Sequence, residues 1–184
     1  MQIRLITFIL LIIPSFLLAE AIPQYKRSYF GNWQDSDGDC QNTRHELLQK
    51  LSTSTYTLSA NTCKVLTGRW LDPYTNKVFS RSEDVDIDHL VPLSYAWKHG
   101  AFGWSKDKRM KFANDERNLF AVQSSVNREK SDSGPLKWLP PNVKFRCEYI
   151  LRFKRIVKIY GLKMTAAEAE GTEKLQRQYC GRSN

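Results

Sequence analysis

The sequence predicts an α+β fold in a single disulfide-bonded domain, and three observations predict it. Segments with helical spacing of apolar residues open on capping residues, as at Thr43 and Thr165. Other segments alternate apolar with polar residues or flank turn-forming runs, the pattern of short strands, as from Val85 to Val91. Four cysteines, Cys40, Cys63, Cys147 and Cys180, follow an N-terminal apolar stretch without any CxxC pair, and in an exported chain they suggest two disulfides. Of the three pairings open to them, Cys40 with Cys63 and Cys147 with Cys180 is preferred, because each closes a loop within one half of the chain.

At 184 residues the chain has the size of one domain able to bury a core. Its 41% hydrophobic and 26% charged residues exclude global disorder and fibrous repeats. Residues 1–21 read as a secretory signal peptide, with Arg4, an apolar run from Leu5 to Leu18, and then Ala19-Glu20-Ala21. The run is short for a membrane span and Pro14 interrupts it. The expected mature domain is therefore residues 22–184, secreted or periplasmic, with no stable membrane association after cleavage. Cleavage removes one basic and one acidic residue, Arg4 and Glu20, so the net charge stays at +9. That excess favours polyanionic partners.

In chain order, Thr43 and Glu46 fit a capping box ahead of Leu47, Leu48 and Leu51, predicting a helix over 43–51. Segments 63–70 and 77–79 flank Asp72-Pro73-Tyr74-Thr75-Asn76 and predict a hairpin. Val85 to Val91 predicts a strand ending before Pro92, which has no ladder donor. Gly100 is placed to close one short helix and Ser105 to cap another running through Lys111. Asn118 to Val122 predicts a second strand, with Ser124 or Ser125 as cap of a helix carrying Asn127. Asn142 is placed to cap a long basic helix with a stripe of Val143, Cys147, Ile150, Leu151, Lys154 and Val157, ending by Gly161. Thr165 and Glu168 form a second capping box. No repeat or low-complexity linker divides residues 22–184.

Three pieces carry the chemistry: Asp86-Ile87-Asp88-His89-Leu90-Val91-Pro92, then Asn118-Leu119, then Asn127-Arg128-Glu129-Lys130-Ser131. Together they resemble the HNH, or ββα-metal, endonuclease family of His-Me finger enzymes. Asp88-His89-x-x-Pro92 with Asn118-Leu119 and Asn127-x-x-Lys130 is similar to the HNH domain of RNA-guided CRISPR nucleases. The segments Trp70 to Tyr74, Asp86 to Trp97, Phe112 to Asp115 and Trp138 to Pro141 look like exported bacterial HNH proteins related to the C-terminal domain of GmrSD-type restriction enzymes. This resemblance runs from near Tyr25 to Tyr149. It implies a ββα-metal core over about residues 85–131, inserted among further helices and a hairpin. It also implies an exported, metal-dependent endonuclease that hydrolyses phosphodiester bonds in DNA, with RNA as the alternative substrate.

A phosphodiester resists attack because its oxygens are already negative, so hydrolysis needs an activated water and a cation at the phosphate. Histidine titrates nearest neutrality, which makes His89 the candidate general base. The resemblance implies Asp88 and Asn127 as ligands of one divalent ion, Mg2+ or alternatively Mn2+, and both offer the oxygen donors a hard cation takes. It implies Asn118 as the residue that orients the His89 imidazole, through a backbone or side-chain contact. Asp88 and His89 are adjacent, and adjacent strand residues point to opposite faces, so the strand must end or bend there. Asp86 shares the Asp88 face and is a candidate partner of the site.

Arg128 and Lys130, beside Asn127, are the candidate nucleic-acid-binding cations; the other reading of them is a solvated helix face. Little sequence specificity is expected, because nothing resembles a dedicated reading module such as a zinc finger. Asp35, Asp37, Asp39 and Glu46 match positions one, three, five and twelve of a calcium loop, but Cys40 stands where that loop needs glycine, so calcium and an acidic turn both stay open. His45 and His99 read as structural. Trp70, Trp97, Trp104 and Trp138 read as packing residues. The reading from a different class is an exported nucleic-acid-binding protein on a nuclease scaffold, without turnover.

Overall fold

Residues 21–181 are described by a computed structural model, so the signal peptide expected over 1–21 lies, apart from Ala21, outside the described residues. Helices α1 (Thr43–Leu51), α2 (Leu93–Lys98), α3 (Lys106–Ala113), α4 (Ser124–Lys130), α5 (Arg146–Tyr160) and α6 (Ala166–Cys180) alternate with strands β1 (Thr57–Leu58), β2 (Val65–Asp72), β3 (Lys77–Arg81), β4 (Val85–His89) and β5 (Leu119–Gln123). The strands form two antiparallel sheets, β1-β2-β3 and β4-β5. The fold class is α+β, as expected. The β4-β5 pair followed by α4 is the anticipated ββα unit, with α2 and α3 inserted between its strands.

The hairpin joins β2 to β3 where the sequence placed a turn. The Asp72 carboxylate accepts the Tyr74 N–H at 2.8 Å, and Asn76 takes the left-handed φ of 60° that asparagine tolerates. Ser105 caps α3 through the Lys108 N–H, and Thr165 with Glu168 forms the full capping box of α6. Gly161 ends α5 with φ 67°, a conformation that costs a glycine nothing.

Three helix starts differ from expectation. The cap of α1 is Asn42, which accepts the Arg44 N–H, while the Thr43 hydroxyl is turned to the Gln34 carbonyl at 3.0 Å. The N-cap of α4 is Gln123 without a side-chain bond, because the Ser124 hydroxyl is committed to Asp86. Asn142 donates through Nδ2 to the Pro73 carbonyl instead of capping, and a single 3-10 turn, Val143–Phe145, precedes α5. The buried face of α5 is Tyr149, Ile150, Phe153, Ile156, Val157 and Tyr160. Of the expected stripe, Val143 and Leu151 are exposed. The aromatic residues, heavier in apolar area, determine which face turns inward.

The core is in two parts. The larger gathers around α2, α3 and α5, with Phe30, Tyr74, Leu90, Val91, Val122 and Tyr149 among its members. The smaller joins α1 and β2 to Val85, Ile87, Leu119 and Ala121. The β4-β5 pair separates them, so the face carrying Asp86 and Asp88 looks toward the larger core and the face carrying Ile87 and His89 toward the smaller. No helix among the described residues is long and apolar enough to cross a membrane.

Both disulfides pair as preferred, Cys40 with Cys63 and Cys147 with Cys180. The second ties α5 to the end of α6 across 33 residues. Replacing Cys147 and Cys180 together by serine should cost about 4 kcal/mol through loop-closure entropy. Urea unfolding measures this as a lower midpoint with native helix content retained. An unchanged midpoint would contradict the role given to this bond.

Candidate active site

The β4-β5 ladder runs from Val85 opposite Gln123 to His89 opposite Leu119 and stops there. Beyond it, the buried Asn118 takes over the backbone groups of the next two residues. Its carbonyl accepts the Leu90 N–H at 2.8 Å, its Oδ1 accepts the Val91 N–H at 2.8 Å, and its Nδ2 donates to the Val91 carbonyl at 3.2 Å. Both Val91 backbone groups and the Leu90 N–H are thereby partnered although the two residues are fully buried. The chain turns directly into α2 after Pro92. Asp88 and His89 do point to opposite faces, and because the strand ends there both still line one cleft, together with Asn127.

The His89 ring is held by groups the sequence did not single out. Its Nε2 lies 2.7 Å from the Ala113 carbonyl oxygen at the end of α3, and its plane is parallel to the Trp33 ring, with centroids 5.2 Å apart. A carbonyl can only accept, so Nε2 carries the proton and Nδ1 is the basic nitrogen. Nδ1 makes no hydrogen bond among the described residues. Burial pulls the pKa from the ordinary 6.5 to about 3; the Ala113 carbonyl opposes the shift and the Arg27 and Lys130 charges reinforce it. With the folded value depressed, the unfolded chain takes up this proton first, so His89 costs stability as pH falls below 6.5 and the full cost is reached below about 3. Asn118 makes no hydrogen bond to the imidazole itself; it acts through the backbone, fixing the two residues that follow His89.

On the opposite face, the Asp88 carboxylate is buried between two donors. Oδ1 accepts from the Lys130 ammonium at 2.9 Å and Oδ2 from the Tyr74 hydroxyl at 2.6 Å. Burial pushes the Asp88 carboxyl above its usual range, against the pull of Lys130 and Tyr74. Lys130 also donates to the His89 carbonyl at 2.9 Å and is 0% exposed. The expectation of Lys130 on phosphates does not fit this placement: its ammonium is spent inside the protein, since a buried lysine needs partners. Arg128, its expected companion, lines a separate hollow beside Asp84, Asp86 and Ser125.

Asp86 is the partner of Asn127, accepting from its Nδ2 at 3.0 Å while Ser124 donates to the other oxygen at 3.1 Å. With Nδ2 committed, the amide of Asn127 keeps Oδ1 for another ligand. Oδ1 of Asn127 and the remaining lone pairs of Asp88 are oxygen donors on one cleft, a set that fits a hard divalent ion. The cleft also holds Arg27 and Tyr25 from the N-terminal segment, and Ser94 and Asp132 at its rim, where Asp132 is paired to Lys98 at 2.7 Å. Arg27, Trp33 and the Ala113 carbonyl were missed from the sequence.

Elsewhere, His45 accepts the Val65 N–H through Nδ1 and His99 lies against the Tyr95 carbonyl and Glu168, the structural placements expected. The carboxylates of Asp35, Asp37 and Asp39 converge within 4.8 Å on an exposed turn, where they accept backbone N–H groups from Gly38 to Gln41.

Comparison with known proteins gives two matches. The family described as GmrSD restriction endonucleases, C-terminal domain, matches residues 41–171. An uncharacterized secreted protein of Arthroderma benhamiae is 39% identical over 146 residues, which cover 78% of this chain and 70% of that protein. The likeness thus extends to a fungus, beyond the bacterial proteins the motifs resemble. No solved structure matches.

Removing Lys130 leaves Asp88 buried without its cation. Lys130→Met should therefore lose about 3–5 kcal/mol, and adding Asp88→Asn to it should restore a large part. Denaturant unfolding of the two variants checks this. A loss within about 0.5 kcal/mol, as for an exposed lysine, would contradict the burial.

Proposed function

The chain belongs to the family of GmrSD restriction endonuclease C-terminal domains, and on that premise we propose that it is an exported, metal-dependent HNH endonuclease hydrolysing phosphodiester bonds in DNA with little sequence specificity. The observation that carries this reading is His89, whose Nε2 is tied to the Ala113 carbonyl and whose Nδ1 is left as a base, on the cleft it shares with Asp88 and Asn127. Export is supported by the secretory pattern of residues 1–21, by two disulfides, and by the fungal relative being a secreted protein.

In this mechanism the neutral His89 takes a proton from a water through Nδ1 as the water oxygen bonds to phosphorus. The Ala113 carbonyl accepts the Nε2–H throughout, so the imidazolium that forms is stabilised without a change of tautomer. Trp33 keeps the ring from rotating out of line. The bond from phosphorus to the leaving sugar oxygen breaks, and that oxygen takes a proton from solvent. Asp88 and Asn127 would hold a divalent ion, Mg2+ or alternatively Mn2+, which when bound would supply positive charge to the phosphate and the leaving oxygen. Lys130 and Tyr74 hold the Asp88 carboxylate in place, and Asp86 holds the Asn127 amide. DNA rather than RNA is the reading for substrate because the family is one of restriction endonucleases. The net charge of +9 suits either polyanion.

The disulfide-intact protein should nick or linearise supercoiled plasmid with added Mg2+ and not with excess chelator. His89→Ala should lower cleavage by at least about a hundredfold, the contribution of a general base, while DNA binding is kept. A His89→Ala protein as active as wild type would remove the mechanism. Binding without cleavage under any divalent ion would favour a nucleic-acid-binding protein that has lost turnover.

A further inference from the structure

A phosphodiester in the cleft gains negative charge on its non-bridging oxygens as water attacks, and donors prepositioned for that charge contribute strongly to the rate. The two cations that the sequence placed there are elsewhere: Lys130 is buried on Asp88, and Arg128 lies in a different hollow. Among the described residues, the cation that does line the cleft, with Asp88, His89 and Asn127, is Arg27. We propose that Arg27 clamps the phosphate under attack, supplying a guanidinium fork to its non-bridging oxygens; this rests on the endonuclease reading above.

Three features support it. Arg27 is exposed and forms no ion pair among the described residues, so its charge is not already cancelled. One Nη1–H donates to the Gly31 carbonyl at 2.8 Å, which orients the guanidinium and leaves four of its five N–H donors for a ligand. The segment that carries it is anchored on both sides. The Pro23 carbonyl accepts from Trp97 Nε1 at 2.6 Å, the Tyr29 carbonyl accepts from Arg109 at 3.0 Å, and Phe30 is fully buried against Trp97 and Phe112. A charge on so fixed a base loses little freedom when it binds, as a preorganised donor requires. Planar, bidentate recognition of phosphate is also the task for which arginine is suited and lysine is not.

The test compares wild type with Arg27→Ala and Arg27→Lys in single-turnover cleavage of a labelled DNA duplex with Mg2+. In parallel, the same substitutions on a His89→Ala background are tested for duplex binding by fluorescence anisotropy across a salt series. Arg27→Ala should slow cleavage about a hundredfold with the thermal midpoint unchanged, and Arg27→Lys should recover only part of the loss. Arg27→Ala should also reduce the salt slope of binding by about one phosphate contact. Cleavage within about twofold of wild type by Arg27→Ala would overturn the proposal. If wild type itself does not cleave, the endonuclease reading fails separately and binding decides: a reduced slope keeps Arg27 as a phosphate contact, and an unchanged slope removes it.

Discussion

The site depends on β4 ceasing to be a strand at His89 while its continuation stays buried. Leu90 and Val91 are fully inside, so their amide and carbonyl groups have neither water nor ladder partner unless another residue supplies one. Asn118 supplies three such bonds, with its carbonyl and both ends of its side chain. An asparagine can do this because its amide carries a donor and an acceptor in one plane, as a peptide does. A leucine of similar size would leave the Val91 groups unsatisfied, at about 1–3 kcal/mol each.

Ending the strand there resolves a conflict between strand geometry and chemistry. Alternation along β4 sends Asp88 toward one core and His89 toward the other, and each environment imposes a different electrostatic state. Burial holds His89 neutral, and the carbonyl on Nε2, while opposing that shift, fixes which nitrogen carries the proton. Asp88 is buried as well, but with an ammonium and a phenol as donors. The proposed base and the proposed oxygen ligands therefore reach one cleft from two sides of a strand, each already oriented by its own packing. The same arrangement explains why the cleft takes its free cation from the N-terminal segment: the lysine nearest the site is needed inside.

Much of this was legible in the sequence, and what was not has identifiable physical reasons. Alternation from Val85 and the capping residues Ser105 and Thr165 fixed strands and helices, because these signals are local. The choice between Asn42 and Thr43 as cap was not legible, since it turns on Thr43 having the Gln34 carbonyl as a distant partner. The burial of Lys130 had a signal. Residues 127 and 130 share a helix face and residues 86 and 88 share a strand face, so a helix that sets Asn127 on Asp86 also sets Lys130 on Asp88. The Ala113 carbonyl had none, because any residue carries a carbonyl. Arg27 and Trp33 reach the site only through long-range packing of a segment without regular spacing.

The central claim is that the fold presents His89 as a neutral base with Nδ1 open. Long-range proton–nitrogen NMR on the nitrogen-15-labelled protein reads the tautomer and the pKa of this ring directly. The account predicts a proton on Nε2 and none on Nδ1 at neutral pH, with no titration on acidification through the ordinary value of about 6.5. A proton on Nδ1, or a titration centred near 6.5, would contradict it.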